Sequence, residues 1–209
     1  AFFTWQNSYY IVLSIGGAKI IQEDICKKED SELYSEFLLG NKESFNILMI
    51  KHRKALTKFI MYYTKNTEMA EDIAQDSFLY MLVHKKEYDF KYSFKTYLYT
   101  IAKSRTLNYL KKENRNVPLH DEEIENFESE LNVEDELINK ENRDKVKTVI
   151  KKLKKDYQVI IYLYYFQNFK YKEISEILNI SMSKTKMSLK RAKKIMEKNL
   201  KEGEKDDDR

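Results

Sequence analysis

Residues 70–115, AEDIAQDSFLYMLVHKKEYDFKYSFKTYLYTIAKSRTLNYLKKENR, contain two segments with a strong helical pattern. The first segment predicts a helix from Ala70 to Lys85, because small and apolar residues recur on one face at helical spacing. This inner face consists of Ala70, Ile73, Ala74, Ser77, Phe78 and Met81. The opposite face combines acidic with aliphatic residues: Asp72, Asp76, Leu79 and Val83. An apolar pair ringed by charge on an outward face predicts a docking surface for a partner helix.

A second helix follows a short polar break at residues 87–92. Its predicted inner stripe is Phe94, Tyr97, Leu98, Ile101 and Ala102. Its predicted outward face combines lysines, hydroxyls and an aromatic ring: Lys95, Thr96, Tyr99, Thr100 and Lys103. Basic and aromatic side chains in alternation suit the backbone and the unstacked bases of a single nucleic-acid strand.

Composition favours an all-α protein. Only 4 glycines and 1 proline occur in 209 residues, too few for the turns of a strand-rich fold. The single cysteine, Cys26, excludes an internal disulfide and fits a reducing cytoplasm. The three histidines are far apart and lack ligand spacing, so the sequence predicts no metal and no cofactor.

Residues 1–30 are predicted to be an N-terminal extension, disordered or non-native, since the first twenty differ sharply in composition from the rest. The apolar run from Tyr9 to Ile15 is too short to cross a bilayer, so no membrane insertion is expected. Residues 31–116 are predicted to form the first helical domain. It begins with a short helix from Ser31 and a long helix at about residues 44–63, on which His52 lies on the core stripe.

Residues 117–141 are strongly acidic and contain the only proline, Pro118. Such a run buries too little apolar surface to order itself, which predicts a flexible acidic linker between two small helical domains. A solvated spacer explains this composition about equally well as a segment adapted to a basic channel.

Residues 142–200 are predicted to form a second helical domain, followed by a frayed tail at residues 201–209. The segment from Tyr171 to Leu178, a turn at residues 179–181 and a basic helix from Met182 have helix-turn-helix order. Thr185, Leu189, Ala192 and Met196 are predicted to face the core. Candidate phosphate and base contacts lie on the opposite side: Ser183, Lys184, Lys186, Met187, Lys190, Arg191 and Lys194.

Two pairs of motifs resemble one known family. The run from Ala70 to Phe78, followed by the run from Phe94 to Ala102, resembles region two of bacterial sigma factors. The runs from Tyr171 to Ile174 and from Leu189 to Ala192 resemble region four. The similarity is greatest to the extracytoplasmic-function (ECF) group of the sigma-70 family, the small alternative sigma factors of RNA polymerase.

The resemblance implies functions for three surfaces. The first helix would bind the clamp helices of the β′ subunit of core RNA polymerase through Asp72, Gln75, Asp76, Leu79 and Val83. Promoter opening at the minus-ten element would use Phe90, Tyr92, Lys95, Tyr97, Tyr99, Lys103 and Ser104. The basic helix would recognise the minus-thirty-five element, and the second domain would contact the β flap. The linker would pass through the polymerase cleft, and many members of the group are held by an anti-sigma factor.

Several positions differ from the family pattern. Tyr97 stands where tryptophan is usual, Lys154 where proline is common and Ser104 where asparagine often lies near the extruded base. The promoter sequence is therefore left open. We interpret the chain as a cytoplasmic sigma factor without enzymatic activity. The alternatives are a stand-alone helix-turn-helix regulator and a metal enzyme using Glu71, Asp72 and Asp76, but no dimerisation heptad and no further ligand cluster support them.

Overall fold

The computed structural model describes residues 28–116 and 140–207, and every regular element in these ranges is helical. The longer helices are α1 (Asp30–Leu38), α2 (Lys42–Thr64), α3 (Thr67–Val83), α4 (Phe94–Asn116), α5 (Lys140–Lys151), α6 (Lys155–Ile161), α7 (Tyr171–Leu178) and α8 (Met182–Asp207). The prediction of an all-α protein is confirmed. The predicted N-terminal extension and almost all of the predicted acidic linker lie outside the described residues.

Two compact units divide within α2, the first ending at His52 and the second beginning at Arg53. In the first unit, Gly40 ends the turn after α1 with a φ of 106°, a conformation that favours glycine. His52 is buried and its Nε2 lies 2.8 Å from Oδ2 of Asp30. The prediction that His52 is a core histidine with a satisfied partner is therefore confirmed.

The two central helices of the second unit form close to where the sequence predicts them. Asn66 caps α3, its side chain accepting a hydrogen bond from the Met69 amide at 3.0 Å. The whole predicted inner face of α3 is buried, while Leu79 and Val83 are 55% and 67% exposed. A 3₁₀ turn at Lys85–Glu87 and an irregular segment separate α3 from α4.

The remaining helices place the helix-turn-helix unit. Lys154 adopts φ −58° and ψ 145°, the extended conformation of a proline, and so separates α5 from α6 although it is not a proline. A π-helical turn at Tyr162–Phe166 follows α6. Asn179 takes a left-handed φ of 51° at the end of α7, and the Ser181 hydroxyl caps α8 through the Lys184 amide.

The last helix extends beyond Leu200, the predicted end of the second domain. Helix α8 continues to Asp207, through residues that the sequence analysis assigned to a frayed tail. Residues 201–207 are mostly lysine and glutamate, which are good helix formers, and a single glycine is not enough to stop the helix.

Candidate nucleic-acid and partner interfaces

The outward face of α3 has the composition predicted for a docking surface. Asp72, Asp76, Leu79 and Val83 are all exposed, and Gln75 between them is half-buried. Leu82, which the sequence analysis did not select, is also 43% exposed and widens the apolar part of this face. We call these six residues the α3 face. Aliphatic side chains held in water beside carboxylates are characteristic of a surface that a partner covers.

A groove of about 810 Å³ lies between α3 and α4. It brings together two sets of predicted residues, Asp72 and Asp76 from α3 and Tyr97 and Ser104 from α4. Sequence reasoning missed Arg105, which forms an ion pair with Asp76 in this groove and lies 4.8 Å from the centroid of the Tyr80 ring. The available signal was helical spacing, because Arg105 lies three residues after Ala102 and four after Ile101, both on the inner stripe.

The segment between α3 and α4 presents one aromatic ring to solvent. Phe90 is 54% exposed and packs edge-on against the buried Tyr88 at 4.8 Å. The Tyr88 hydroxyl donates to the Tyr92 carbonyl at 2.7 Å, and the Asp89 side chain accepts from the Lys91 amide at 3.0 Å. Internal hydrogen bonds therefore hold this segment, while the exposed Phe90 ring can stack on a base.

The predicted outward face of α4 is wrong at two positions. Thr96 and Tyr99 are buried, at 2% and 0% exposure, because α7 and the segment before it pack onto this side of α4. The Tyr99 ring lies 5.0 Å from both Phe59 and Phe169, and its hydroxyl donates to Oε1 of Gln167 at 3.1 Å. Burial raises the pKa of Tyr99 well above its usual value.

The lysines of the same face also have protein partners. Lys95 Nζ donates to the Gln167 carbonyl at 2.7 Å and lies 4.7 Å from the Phe169 ring centroid. Lys103 Nζ donates to the Leu178 carbonyl at the end of α7, and burial lowers the pKa of Lys103. Of the predicted minus-ten residues, Phe90 and Ser104 are exposed, Tyr92 and Tyr97 are half-buried, and the others are engaged by the helix-turn-helix unit.

Helix α8 presents the basic face that the sequence predicts. Thr185, Leu189 and Ala192 are buried, and Met196 is half-buried. The opposite side is exposed at every predicted contact residue: Ser183, Lys184, Lys186, Met187, Lys190, Arg191 and Lys194. A helix held by its apolar side, with cations along the other, fits the width of the major groove.

Within residues 28–116 and 140–207, no three histidine, cysteine, aspartate or glutamate side chains are grouped so that they could hold a metal ion. Over the same described ranges, none of the helices combines the length and the apolar character needed to cross a bilayer.

Comparison with known proteins agrees with this geometry. The family model described as Sigma-70 region 2 matches residues 48–116, and that described as Sigma-70, region 4 matches residues 143–196. The ECF RNA polymerase sigma factor SigM of Bacillus subtilis (strain 168) is 28% identical over 136 residues, covering 65% of this chain and 82% of the relative. RNA polymerase sigma factor YlaC of the same strain is 28% identical over 167 residues, covering 78% of this chain and 95% of the relative.

A solved structure gives the same result for the fold. The structure of CnrH in complex with the cytosolic domain of CnrY aligns with a TM-score of 0.56 at 16% identity, covering 82% of this chain and 97% of that one. Helices, order of motifs and relatives together define a two-domain helical transcription factor. This chain belongs to the ECF group of the sigma-70 family.

Proposed function

We propose that this chain joins core RNA polymerase as an alternative sigma factor and directs it to promoters in the cytoplasm. Residues 31–116 would act as the domain that binds the polymerase and opens the promoter, and residues 142–200 as the domain that recognises the upstream element. The observation that carries the proposal is the presence, in one chain, of a partner-type face on α3 and a one-sided basic helix in a helix-turn-helix unit.

The α3 face would provide the contact with core polymerase. Leu79 and Val83 supply apolar area that becomes buried on docking, and Asp72 and Asp76 supply charge that selects a basic partner helix. The chemistry of RNA synthesis would be performed by the polymerase, so the sigma factor contributes recognition and strand separation only.

The promoter elements would be bound by two different surfaces. The exposed side of α8 would enter the major groove of the minus-thirty-five element, with Arg191 and Lys186 near bases and the other lysines on phosphates. Phe90, Tyr92 and Tyr97, which are exposed or half-buried, would hold the separated strand of the minus-ten element by stacking. Ser104, exposed beside the groove, would lie near the extruded base.

Run-off transcription tests this function and the α3 face together. Core polymerase and a pool of genomic fragments should give discrete transcripts only when the protein is added. The variant Leu79→Lys with Asp76→Asn should fold normally and lose core binding, since removing a central apolar anchor costs more than about 2 kcal/mol at a hot spot. Asp76→Asn avoids placing a second cation beside Arg105.

Ile50→Lys provides the matched control, since Ile50 is an aliphatic residue on α2 that is 68% exposed and outside the α3 face. It should bind core polymerase like the wild type. Unchanged co-purification of the α3 variant would remove this face from the interface. Fragment binding without any effect on transcription would instead indicate a stand-alone regulator.

A further inference from the structure

A methionine lies near the centre of the basic face of α8. Thr185, Leu189 and Ala192 are buried, at 0%, 6% and 0% exposure, and mark the side of the helix that faces the core. At about 100° per residue, Met187 lies roughly 170° around the helix from the middle of this buried stripe. Its side chain is 52% exposed. A residue that points almost directly away from the core is therefore apolar.

The neighbours of Met187 on this face are polar or cationic. Ser183 and Arg191 lie one turn before and after it. Lys184 and Lys190 lie three residues before and after it, and all four neighbours are exposed. Long cationic side chains at the margins of such a face reach the phosphates along the major groove, while residues in the middle of its N-terminal turns face base edges. Met187 thus has a position suited to base contact, but its thioether has no hydrogen-bond donor.

The major groove offers one apolar group to such a side chain. Guanine, cytosine and adenine present hydrogen-bond donors and acceptors there, whereas thymine adds a C5-methyl group beside its O4 acceptor. A thioether placed over a donor or an acceptor would exclude water without replacing the lost hydrogen bond, which is unfavourable. Over a thymine methyl group, the same side chain buries apolar area on both partners and costs no hydrogen bond. The chemistry therefore favours a T·A pair opposite Met187.

We propose that Met187 recognises a thymine in the upstream promoter element through contact with the C5-methyl group of that base. The inference rests on the proposed function and deepens it, since it names the base chemistry that the centre of α8 selects. Side chains four residues apart on a helix are about 6 Å apart, and successive base pairs are about 3.4 Å apart. The thymine should therefore lie within about two base pairs of the pair that Arg191 contacts.

Replacing thymine with uracil tests this contact, because it removes the methyl group and keeps every hydrogen-bonding group of the base pair. The probe is a genomic fragment selected by binding to the protein mixed with core polymerase. Synthetic duplexes of this fragment each carry deoxyuridine at one thymine position of the upstream element. For the wild type, one of these replacements should weaken binding about fourfold, the effect expected for loss of one buried methyl group. For Met187→Ala, the thymine and uracil duplexes should bind equally at that position.

Two further variants serve as controls. Met187→Leu keeps an apolar side chain and should retain the preference for thymine over uracil. Met182→Ala truncates another methionine of α8, which is 46% exposed but outside the predicted contact residues, and should behave like the wild type. Because all proteins are compared on the same pair of duplexes, any effect of uracil on the stiffness of the DNA is common to them and cancels.

Two results would overturn the thymine contact: no preference for thymine at any position in the wild type, or an equal preference in the wild type and in Met187→Ala. Failure of the proposed function would give a different result, because the chain without polymerase is assayed on the same duplexes. A thymine preference that depends on Met187 in the chain alone, on a fragment that core polymerase never transcribes, would keep the thymine contact and refute the proposed function.

Discussion

Asp30 illustrates how a single residue can make stability depend on pH. Burial alone would raise the pKa of this carboxyl, but hydrogen bonds and charges from His52 and Lys51 outweigh burial and lower the pKa from 3.8 to about 2. Lys51 Nζ lies 2.8 Å from Oδ1 and His52 Nε2 lies 2.8 Å from Oδ2. A lowered pKa means that the folded state prefers the carboxylate, so the stabilisation is present above pH 4 and is lost as the pH falls toward 2.

We expect Asp30→Asn to lower the free energy of unfolding by about 1–2 kcal/mol at pH 7, a figure reduced from the full shift because solvent still reaches the carboxyl. The difference from wild type should shrink between pH 4 and pH 2, as measured by urea unfolding at a series of pH values. Glu29→Gln, an exposed neighbouring acid, is the control and should follow the wild type. A pH-independent difference would mean that packing, not charge, is lost in the Asp30 variant.

Arg191 and Lys194 differ in what they can recognise, although both are exposed on α8. A guanidinium can donate two hydrogen bonds to one guanine, whereas an ammonium acts as a point charge on phosphate. Arg191→Ala should cost roughly 1–3 kcal/mol and relax preference at one base pair of the minus-thirty-five element, while Lys194→Ala should weaken all sequences alike. Footprinting of the holoenzyme on a set of single-base promoter variants would separate the two. Equal, sequence-independent losses would leave both residues as phosphate contacts.

At the scale of elements, the segment between α3 and α4 combines rigidity with one free ring. Tyr88 packs against Phe90 and holds the Tyr92 carbonyl, so loss of the ring at position 90 should not collapse the segment. Replacing Phe90 and Tyr92 with alanine should abolish promoter opening and leave core binding intact, because the α3 face lies on another helix. Each base–aromatic stack is worth about 1–3 kcal/mol.

Permanganate footprinting of the holoenzyme would measure this loss. Ser104→Ala serves as the comparison and should have a mild effect, since a hydroxyl offers one donor and no planar edge to a base. Normal reactivity in the double variant would locate strand separation elsewhere, and collapse in Ser104→Ala alone would reverse the ranking of the two sites.

Periodicity predicts those elements whose two sides differ in polarity. The inner face of α3 and the buried side of α8 follow directly from apolar spacing, and their outward faces are exposed as predicted. Helix α4 is different, because Tyr99 and Thr96 interrupt a basic face without making it apolar. Their burial depends on Phe169 and Glu173, which are about seventy to eighty residues further along the chain, and no local pattern carries that pairing. Periodicity therefore predicts α4 itself, but it does not predict which residues cover the second side of this helix.

In the molecule as a whole, buried aromatic residues join α2 to the helices that follow α5, within the unit that begins at Arg53. Tyr162, on the π-helical turn after α6, is 2% exposed, and its ring packs at a tilted angle on Tyr62 of α2, with the two ring centroids 5.3 Å apart. Its hydroxyl donates to the Ala55 carbonyl at 2.8 Å and accepts from Gln167 at 3.1 Å. One side chain thus connects α2, the turn after α6 and the segment that leads into α7.

This connection predicts that the described helices from α2 onward unfold together. Tyr162→Phe retains the ring and removes only the hydroxyl, which leaves the Ala55 carbonyl without this donor and the Gln167 amide without its acceptor. The cost should be about 1–2 kcal/mol, because unpaired polar groups at a buried interface lose their hydrogen bonds without regaining water. Calorimetry should show one transition for the wild type and an onset lowered by about 2–4 °C for each kcal/mol in the variant.

The same change distinguishes cooperation between the domains from the stability of either domain alone. If the hydroxyl couples α2 to the helices that follow α5, Tyr162→Phe should broaden or split the transition. Tyr165→Phe, which removes a hydroxyl from a ring that is 50% exposed on the same turn, should leave the shape of the transition unchanged. A single sharp transition at a lower temperature would assign the Tyr162 hydroxyl to local stability and remove it from the coupling between the domains.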